Sequence, residues 1–320
     1  MSDEPRRGAL RSWLFVPGDS ERKQAKALES GADALILDLE DSVDPAQLPA
    51  ARARVRQLLA SRAAHSAPEL WVRINTPQGR AWRADLAAAF GPTGKRKGTG
   101  GGQAPAGVVL PKVSRPAQLG QVADHLSALE RARGLARGAT RLLVIATETP
   151  QGLLSLPQYP AALAARRGVA TRLAGLTWGA EDLGAALGAT AKRDSAGALT
   201  FTFALARSTC LLAAAALGVQ AIDGVQADFR NAAGLSDELA EARRDGFSGK
   251  LAIHPAQVDA INAAFTPTEE ERAHARRVLA AFAAAGGAGV ASLDGQMIDR
   301  PHLVAARRVL VAAGLLPEEA

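Results

Sequence analysis

The sequence predicts an α/β protein whose strands close into a (β/α)8 TIM barrel, followed by a helical C-terminal extension. Short apolar runs rich in β-branched residues alternate with longer amphipathic patterns, which is typical of parallel strands joined by helices. There are eight such runs, the number that closes a barrel. The length of 320 residues also fits, since such a barrel takes about 250 residues. We therefore divide the chain into a barrel domain, residues 1–266, and an extension, residues 267–320, which either packs on its own barrel or is swapped onto a neighbouring subunit.

The individual elements follow in order along the chain. The predicted strands lie at 13–16, 34–37, 70–74, 108–110, 142–146, 173–176, 221–225 and 251–253. The clearest predicted helices lie at 21–29, 46–60, 116–131 and 203–217. The extension is predicted to hold two helices, 267–284 and 301–314, on either side of a glycine-rich hinge at Gly286-Gly287. The segment 91–107 is basic and glycine-rich but lacks the spacing of a phosphate-binding loop, so we interpret it as a mobile surface loop.

Composition excludes several classes of protein. A single cysteine, Cys210, cannot form an internal disulfide, which fits a reducing compartment. The first apolar run is too short for a signal-peptide core, and no segment approaches a membrane span, so we expect a cytoplasmic protein with no membrane partner. The net charge is +6, but aromatic residues make up only 4% of the chain. Because few rings are available to stack on bases, we expect no nucleic-acid partner.

Polar side chains recur where the predicted strands end. They are Asp38, Glu40, Asp41, Arg73, Asn75, Lys112, Glu148, Asp182, Asp223 and His254. Barrel enzymes carry their chemistry in the loops after the carboxyl ends of the strands, so these residues predict a site there. His254 has two interpretations, a residue near the pocket or a histidine that only caps the barrel end.

Glu148 and Asp182 are the candidate metal ligands. Two carboxylates at strand ends supply hard oxygen ligands and leave positions open for water and substrate, which suits Mg²⁺, with Mn²⁺ as the alternative. Asp38, Glu40 and Asp41 would then lie around the two ligands and help to orient them. Either acid taken alone could instead cap a helix or form a salt bridge. Clusters of cysteine and histidine are missing from the sequence, which argues against structural zinc.

Arg73 lies inside an apolar strand run, where a guanidinium must be paired or face a cavity. One interpretation is a buried ion pair with Asp38 or Glu40. The other is a clamp for a substrate carboxylate or a developing enolate oxygen, because its planar fork of donors suits such anions.

Nine motifs together resemble the citrate lyase beta-subunit-like branch of the HpcH/HpaI aldolase/citrate lyase family, from about residue 11 to residue 308. They are LFVPGDSERKQAKA (14–27), DLEDSV (38–43), VRIN (72–75), LPKV (110–113), ETPQGL (148–153), GAEDLG (179–184), AIDGV (221–225), GFSGKLAIHPAQV (246–258) and MIDRPHL (297–303). Two stretches depart from the family pattern, since 91–107 is longer than usual and 192–197 matches only loosely.

The resemblance implies a barrel that binds Mg²⁺ and makes or breaks a carbon–carbon bond in a coenzyme A thioester. The substrate would be a malyl-, citramalyl- or citryl-CoA type ester, and the products a 2-oxo acid with acetyl- or propionyl-CoA. By matching motifs, Glu148 and Asp182 correspond to the metal ligands, with Glu148 also in the substrate site. Arg73 corresponds to the substrate-binding, catalytic arginine. Asp299 corresponds to an acid/base that reaches the site of a neighbouring subunit in relatives.

Coenzyme A phosphates need cations, and the candidates are Arg22, Lys23, Lys26 and Lys112. The first three could equally be exposed residues of an ordinary amphipathic helix. The resemblance also implies a homotrimer or hexamer, and it allows acyl-carrier or other lyase subunits as partners. Two other functions stay open: a metal-dependent aldolase of the same fold acting on free 2-oxo acids, and a partner-dependent citrate lyase beta-type subunit.

Overall fold

All eight predicted strands form a closed parallel barrel in the computed structural model, which describes residues 9–62, 66–91, 104–286 and 289–316. The strands follow one another around the barrel in chain order, and each lies within two residues of its predicted bounds. They are β1 Ser12–Pro17, β2 Ala34–Asp38, β3 Glu69–Arg73, β4 Gly107–Leu110, β5 Arg141–Ile145, β6 Leu173–Thr177, β7 Gln220–Asp223 and β8 Gly249–Ala252.

Helices surround the barrel and continue into the extension. They are α1 Glu21–Leu28, α2 Leu48–Ser61, α3 Ala81–Phe90, α4 Ala117–Ala132, α5 Pro150–Ser155, α6 Tyr159–Ala164, α7 Arg167–Ala170, α8 Ala180–Leu187, α9 Phe201–Leu217, α10 Ala232–Asp245, α11 Val258–Phe265, α12 Glu269–Ala284 and α13 Arg300–Ala312. None of the described helices is long and apolar enough to cross a membrane.

Alternation along each strand separates two hydrophobic layers. Inward side chains such as Trp13, Ile36 and Trp71 fill the barrel, while their neighbours in sequence pack under the helices. Trp13 and Trp71 meet edge to face, with ring centroids 4.8 Å apart. Gly107 leaves room for this pair, because a Cβ there would lie 2.1 Å from the Trp71 ring. The same alternation makes residues 38 and 73 inward positions above the core, where the strands end.

The C-terminal extension forms a hydrophobic cluster of its own. Its two predicted helices are present as α12 and α13, and side chains such as Phe282, Ile298 and Leu310 pack between them. Between these helices lies an antiparallel hairpin that was not predicted from the sequence, formed by β9 Val290–Leu293 and β10 Gln296–Asp299. Its signal was the Asp294-Gly295 pair, whose φ angles of 53° and 78° suit a two-residue hairpin turn.

Two sequence-based interpretations fall partly outside the described residues. Of the segment interpreted as a mobile surface loop, residues 92–103 lie outside them. Of the hinge region, residues 287 and 288 do as well, and Gly286 ends the described helix region with a φ of 63°.

Candidate active site

An ion pair between two adjacent strands forms the floor of the barrel mouth. Asp38 ends β2 and Arg73 ends β3, and the two residues are direct neighbours in the strand register. Arg73 Nε and Nη2 each donate to one Asp38 carboxylate oxygen at 2.6 Å. Arg73 Nη1 lies 3.0 Å from Glu40 Oε2, and the guanidinium stacks 4.9 Å from the Phe15 ring centroid. The structure thus contains the ion pair of the first interpretation.

This pairing keeps both groups charged although both are buried. Burial opposes the charged form of Arg73, but the hydrogen bonds and charge of Asp38 raise its pKa overall. Burial likewise opposes ionisation of Asp38, but the Arg73 guanidinium lowers the pKa of the carboxyl overall. Asp38 accepts from two of the five guanidinium N–H groups and Glu40 pairs with Nη1, so N–H donors remain for a further anion. The ion pair therefore leaves the clamp interpretation open.

The loop after β2 is held in place by hydrogen bonds. Asp38 accepts from the backbone N–H groups of Glu40 at 3.0 Å and Ser42 at 3.1 Å. The Asn75 amide donates to the Leu39 carbonyl at 2.7 Å. These contacts present the Glu40 and Asp41 carboxylates toward the loop that follows β4.

Lys112 occupies the centre of the acidic cluster. Its Nζ donates to Glu40 Oε1 at 2.5 Å and to Asp41 Oδ2 at 2.6 Å, and it lies 3.5 Å from Asp182 Oδ1. Its backbone N–H donates to Glu148 Oε2 at 2.5 Å. Burial opposes the charge of Lys112, but Asp41 and Glu40 raise its pKa overall. Lys112 is one of the predicted cations for coenzyme A, and in the structure its ammonium contacts carboxylates.

Glu148 is a buried acid in the turn between β5 and α5. Its residue is only 4% exposed, and the Lys112 N–H is its one hydrogen-bond donor within the described residues. Burial raises the pKa of Glu148 to about 8, with a smaller contribution from the charge of Asp182. Gly179 makes room for this side chain, because a Cβ at that position would lie 2.7 Å from Glu148 Cγ. Gly179, the first glycine of the GAEDLG motif, is therefore a site residue that was not predicted from the sequence.

Asp182 lies in the first turn of α8, beside Glu148 and facing Lys112. Its side chain is 33% exposed, so a ligand can reach it from the barrel mouth. The donor set suits Mg²⁺, because hard carboxylate oxygens are present and a buried, sparingly hydrogen-bonded Glu148 gains from a nearby cation. Within the described residues no three His, Cys, Asp or Glu side chains form a metal cage. A cation held by two acids would keep positions open for substrate.

Two other strand-end residues make their contacts outside this cluster. Asp223 points outward from β7, where Lys250 at 2.9 Å and Arg207 at 3.0 Å pair with it. It follows inward-facing Ile222, so strand alternation directs it away from the barrel axis. His254 caps the short helical turn that follows it, because its Nδ1 accepts a hydrogen bond from Ala256 N at 3.2 Å. This contact agrees with the capping interpretation.

Among the described residues, no hydrogen bond or ion pair joins the remaining predicted site residues to the cluster. Asp299 caps α13 and its Oδ1 lies 2.6 Å from His302 Nδ1. Within the described part of the chain, no hydrogen bond or ion pair joins it to Arg73 or to the two candidate ligands. Arg22, Lys23 and Lys26 are exposed on α1, while Gln24 and Ala27 of that helix are buried. Their roles in proton transfer and coenzyme A binding stay predictions.

Comparison with known proteins identifies the family. Residues 11–255 match the family HpcH/HpaI aldolase/citrate lyase.

The chain belongs to the HpcH/HpaI aldolase/citrate lyase family.

Within this family the chain is 36% identical to the citrate lyase subunit beta-like protein of Mycobacterium tuberculosis, over 96% of this chain and 97% of that one. It is 35% identical to the (3S)-malyl-CoA thioesterase of Cereibacter sphaeroides, over 95% of this chain and 94% of that one. The structure resembles that of the M. tuberculosis protein CitE in complex with magnesium, acetoacetate and coenzyme A. The TM-score is 0.71 at 34% identity, covering 97% of this chain and 99% of that one. The predictions of the family and of the barrel fold are both confirmed.

Proposed function

We propose that this member of the family is a Mg²⁺-dependent carbon–carbon lyase. It would cleave or form a 3-hydroxy dicarboxylic or tricarboxylic acyl-CoA of the malyl-, citramalyl- or citryl-CoA type. The products of cleavage are a 2-oxo acid and acetyl- or propionyl-CoA. Two findings support this assignment. The names of relatives refer to a CoA ester and to citrate lyase, and the CitE structure is a complex with magnesium and coenzyme A.

The observation that carries the proposal is the pairing of one fixed guanidinium with two acids at one barrel mouth. Asp38 binds Arg73 at 2.6 Å. Lys112, in the loop after β4, contacts both Glu148 and Asp182. A cation at these acids and a guanidinium beside them can bind two different oxygens of one substrate. This arrangement suits a reaction in which negative charge moves from one oxygen to another.

Glu148 and Asp182 would hold the metal ion. Such an ion would supply positive charge beside the substrate carboxylate and hydroxyl, which would lower the pKa of the hydroxyl. In the cleavage direction the hydroxyl would lose its proton to solvent water at the open barrel mouth, and the bond between C2 and C3 of the acyl chain would break. The electron pair of that bond moves onto the thioester oxygen and gives an enolate. The 2-oxo acid is the other fragment.

Arg73 would stabilise the enolate oxygen. Asp38 keeps the guanidinium charged, and two hydrogen bonds and the Phe15 ring hold it in position. Little reorganisation is therefore needed as negative charge develops on the enolate oxygen. The enolate carbon must then take up a proton. Asp299 is the candidate donor, because it corresponds to the acid/base of the family motif. Since Asp299 has no contact with Arg73 among the described residues, we propose that it acts in the site of a neighbouring subunit.

We also propose that the chain forms a homotrimer or hexamer. The extension that carries Asp299 exposes apolar side chains, with Met297 73% and Val290 50% exposed. On the barrel, α9 exposes Phe201 to 79% and Leu212 to 69%. Exposed apolar faces of this kind are typical of subunit contacts. Light scattering on the purified chain measures the oligomer, and a monomer at micromolar concentration would contradict this part of the proposal.

An aldolase acting on free 2-oxo acids is the second candidate. Relatives of that type use a histidine base just after an early strand, a position at which this chain has Glu40 and Asp41 bound to Lys112. The site residues therefore favour the CoA-ester reaction. A partner-dependent subunit remains the third candidate, and a stand-alone activity of the purified chain excludes it.

A panel of malyl-, methylmalyl-, citramalyl- and citryl-CoA tests the proposal directly. Mass spectrometry would follow the release of acyl-CoA, free coenzyme A and 2-oxo acid, with Mg²⁺ and with EDTA. We expect EDTA to abolish turnover and Asp182→Asn to lower it by about 10²-fold or more. Glu181→Gln is the matched control, because Glu181 is the adjacent acid and pairs with Lys192 outside the cluster. Equal turnover in wild type and Asp182→Asn would refute the metal assignment.

A further inference from the structure

Lys112 contacts both proposed metal ligands, and the proposed reaction assigns it no task. Its ammonium lies 3.5 Å from Asp182 Oδ1, and its backbone N–H donates to Glu148 Oε2 at 2.5 Å. The same ammonium binds Glu40 and Asp41 at 2.5 Å and 2.6 Å. One residue thus reaches four acids, one through its main chain and three through its charge.

The backbone conformation of Lys112 makes this double contact possible. Its φ of 51° lies in the left-handed region, which residues with a side chain rarely adopt. Within the described residues, Asp294 in the hairpin turn is the other non-glycine residue with a positive φ. The Gln78 amide donates to the Lys112 carbonyl at 3.0 Å and helps to hold this turn. Such conformations persist where the surroundings fix them, and they concentrate at functional sites.

Lys112 also differs from Arg73, the other cation of the cluster. Arg73 is bound to Asp38 and Glu40, and its side chain is 11% exposed. The Lys112 side chain is 23% exposed and is the cation that lies beside Asp182 within the described residues. Its flexible stem allows the ammonium to move while the backbone N–H stays on Glu148.

We propose that Lys112 is a resident cation that competes with the divalent metal ion for Asp182 and thereby sets how tightly the site holds that ion. This inference rests on the proposed metal site. A divalent ion on Asp182 and an ammonium 3.5 Å from the same carboxylate repel each other. The ammonium would therefore withdraw toward Glu40 and Asp41 as the ion binds, and metal affinity is lower than the two acids alone would give.

Binding of Mn²⁺, followed by its electron paramagnetic resonance signal, tests this inference without any turnover. We expect Lys112→Met to bind Mn²⁺ at least about tenfold more tightly than wild type at low salt, and the difference to shrink as salt rises. Lys112→Arg keeps the charge and should stay within about threefold of wild type. Lys192→Met is the matched control, because it removes an equal charge that pairs with Glu181, next to Asp182.

The alternative role of Lys112 gives the opposite sign. A residue that only positions the acids would loosen them when truncated, and Lys112→Met would then bind Mn²⁺ more weakly. Weaker or unchanged binding therefore overturns the inference. Lys112→Gln, which keeps a polar side chain without charge, carries the same expectation if the methionine variant does not fold. Failure of wild type to bind Mn²⁺ overturns the metal site itself, which is a separate result from unequal affinities of the variants.

Discussion

Replacing Glu148 by glutamine should make the metal-free protein more stable, by an amount that grows with pH. The wild-type carboxyl is buried, and burial raises its pKa from the ordinary value of 4.5 to about 8. The folded state therefore holds this proton more tightly than the unfolded state. As pH rises through that window, the unfolded chain ionises first, and the free energy of unfolding of wild type falls. Glutamine has nearly the same shape and does not titrate.

The two pKa values set the size of the effect. Each unit of pKa difference corresponds to about 1.4 kcal/mol. The free energy of unfolding of wild type should lie below that of Glu148→Gln by about 1 kcal/mol at pH 5 and about 3 kcal/mol at pH 7. Above pH 8 the difference should level off near roughly 5 kcal/mol. The rise of this difference with pH is the distinctive feature of the prediction.

Urea unfolding of both proteins in EDTA, at pH values from 5 to about 9, measures this difference. Glu181→Gln is the control. Since Glu181 is half exposed, the difference in free energy of unfolding between this variant and wild type should not grow with pH. Addition of Mg²⁺ at about 100 times its dissociation constant should stabilise wild type by about 3 kcal/mol and the glutamine variant much less. A difference between the two proteins that is constant with pH would refute the argument from burial.

Three further substitutions test other parts of the site. Arg73→Lys keeps the charge but loses the two-point contact with Asp38, so kcat should fall about 10²–10³-fold with an unchanged circular dichroism spectrum. A loss under about threefold would contradict the role of Arg73. Gly179→Ala places a Cβ 2.7 Å from Glu148 Cγ, so calorimetry should show Mg²⁺ affinity reduced at least about tenfold. Asp299→Asn should be inactive alone but recover about a quarter of wild-type turnover when randomly co-assembled with Asp182→Asn. No recovery would place both acids in one subunit's site.

Much of the fold and part of the site could be predicted from sequence patterns. The strands were identifiable because apolar runs of three to five residues alternate with amphipathic helices, and this pattern is local. The hairpin of the extension was missed because its strands are short and partly exposed, although Asp294-Gly295 marked the turn. Asp223 was placed with the other strand-end acids because the sequence does not show on which side of a short strand a residue lies. Its neighbour Ile222 packs inside the barrel, so Asp223 packs under the helices.

The sequence by itself determined the eight strands, the family, and which acids and arginine stand at the strand ends. These features depend on residue type and on spacing along the chain. Only the tertiary structure decided how the strand-end side chains pair with one another. Glu40 and Lys112 are 72 positions apart, yet their side chains are in contact. The raised pKa of Glu148 likewise results from burial by distant segments, because desolvation depends on what packs around a group and not on its neighbours in sequence.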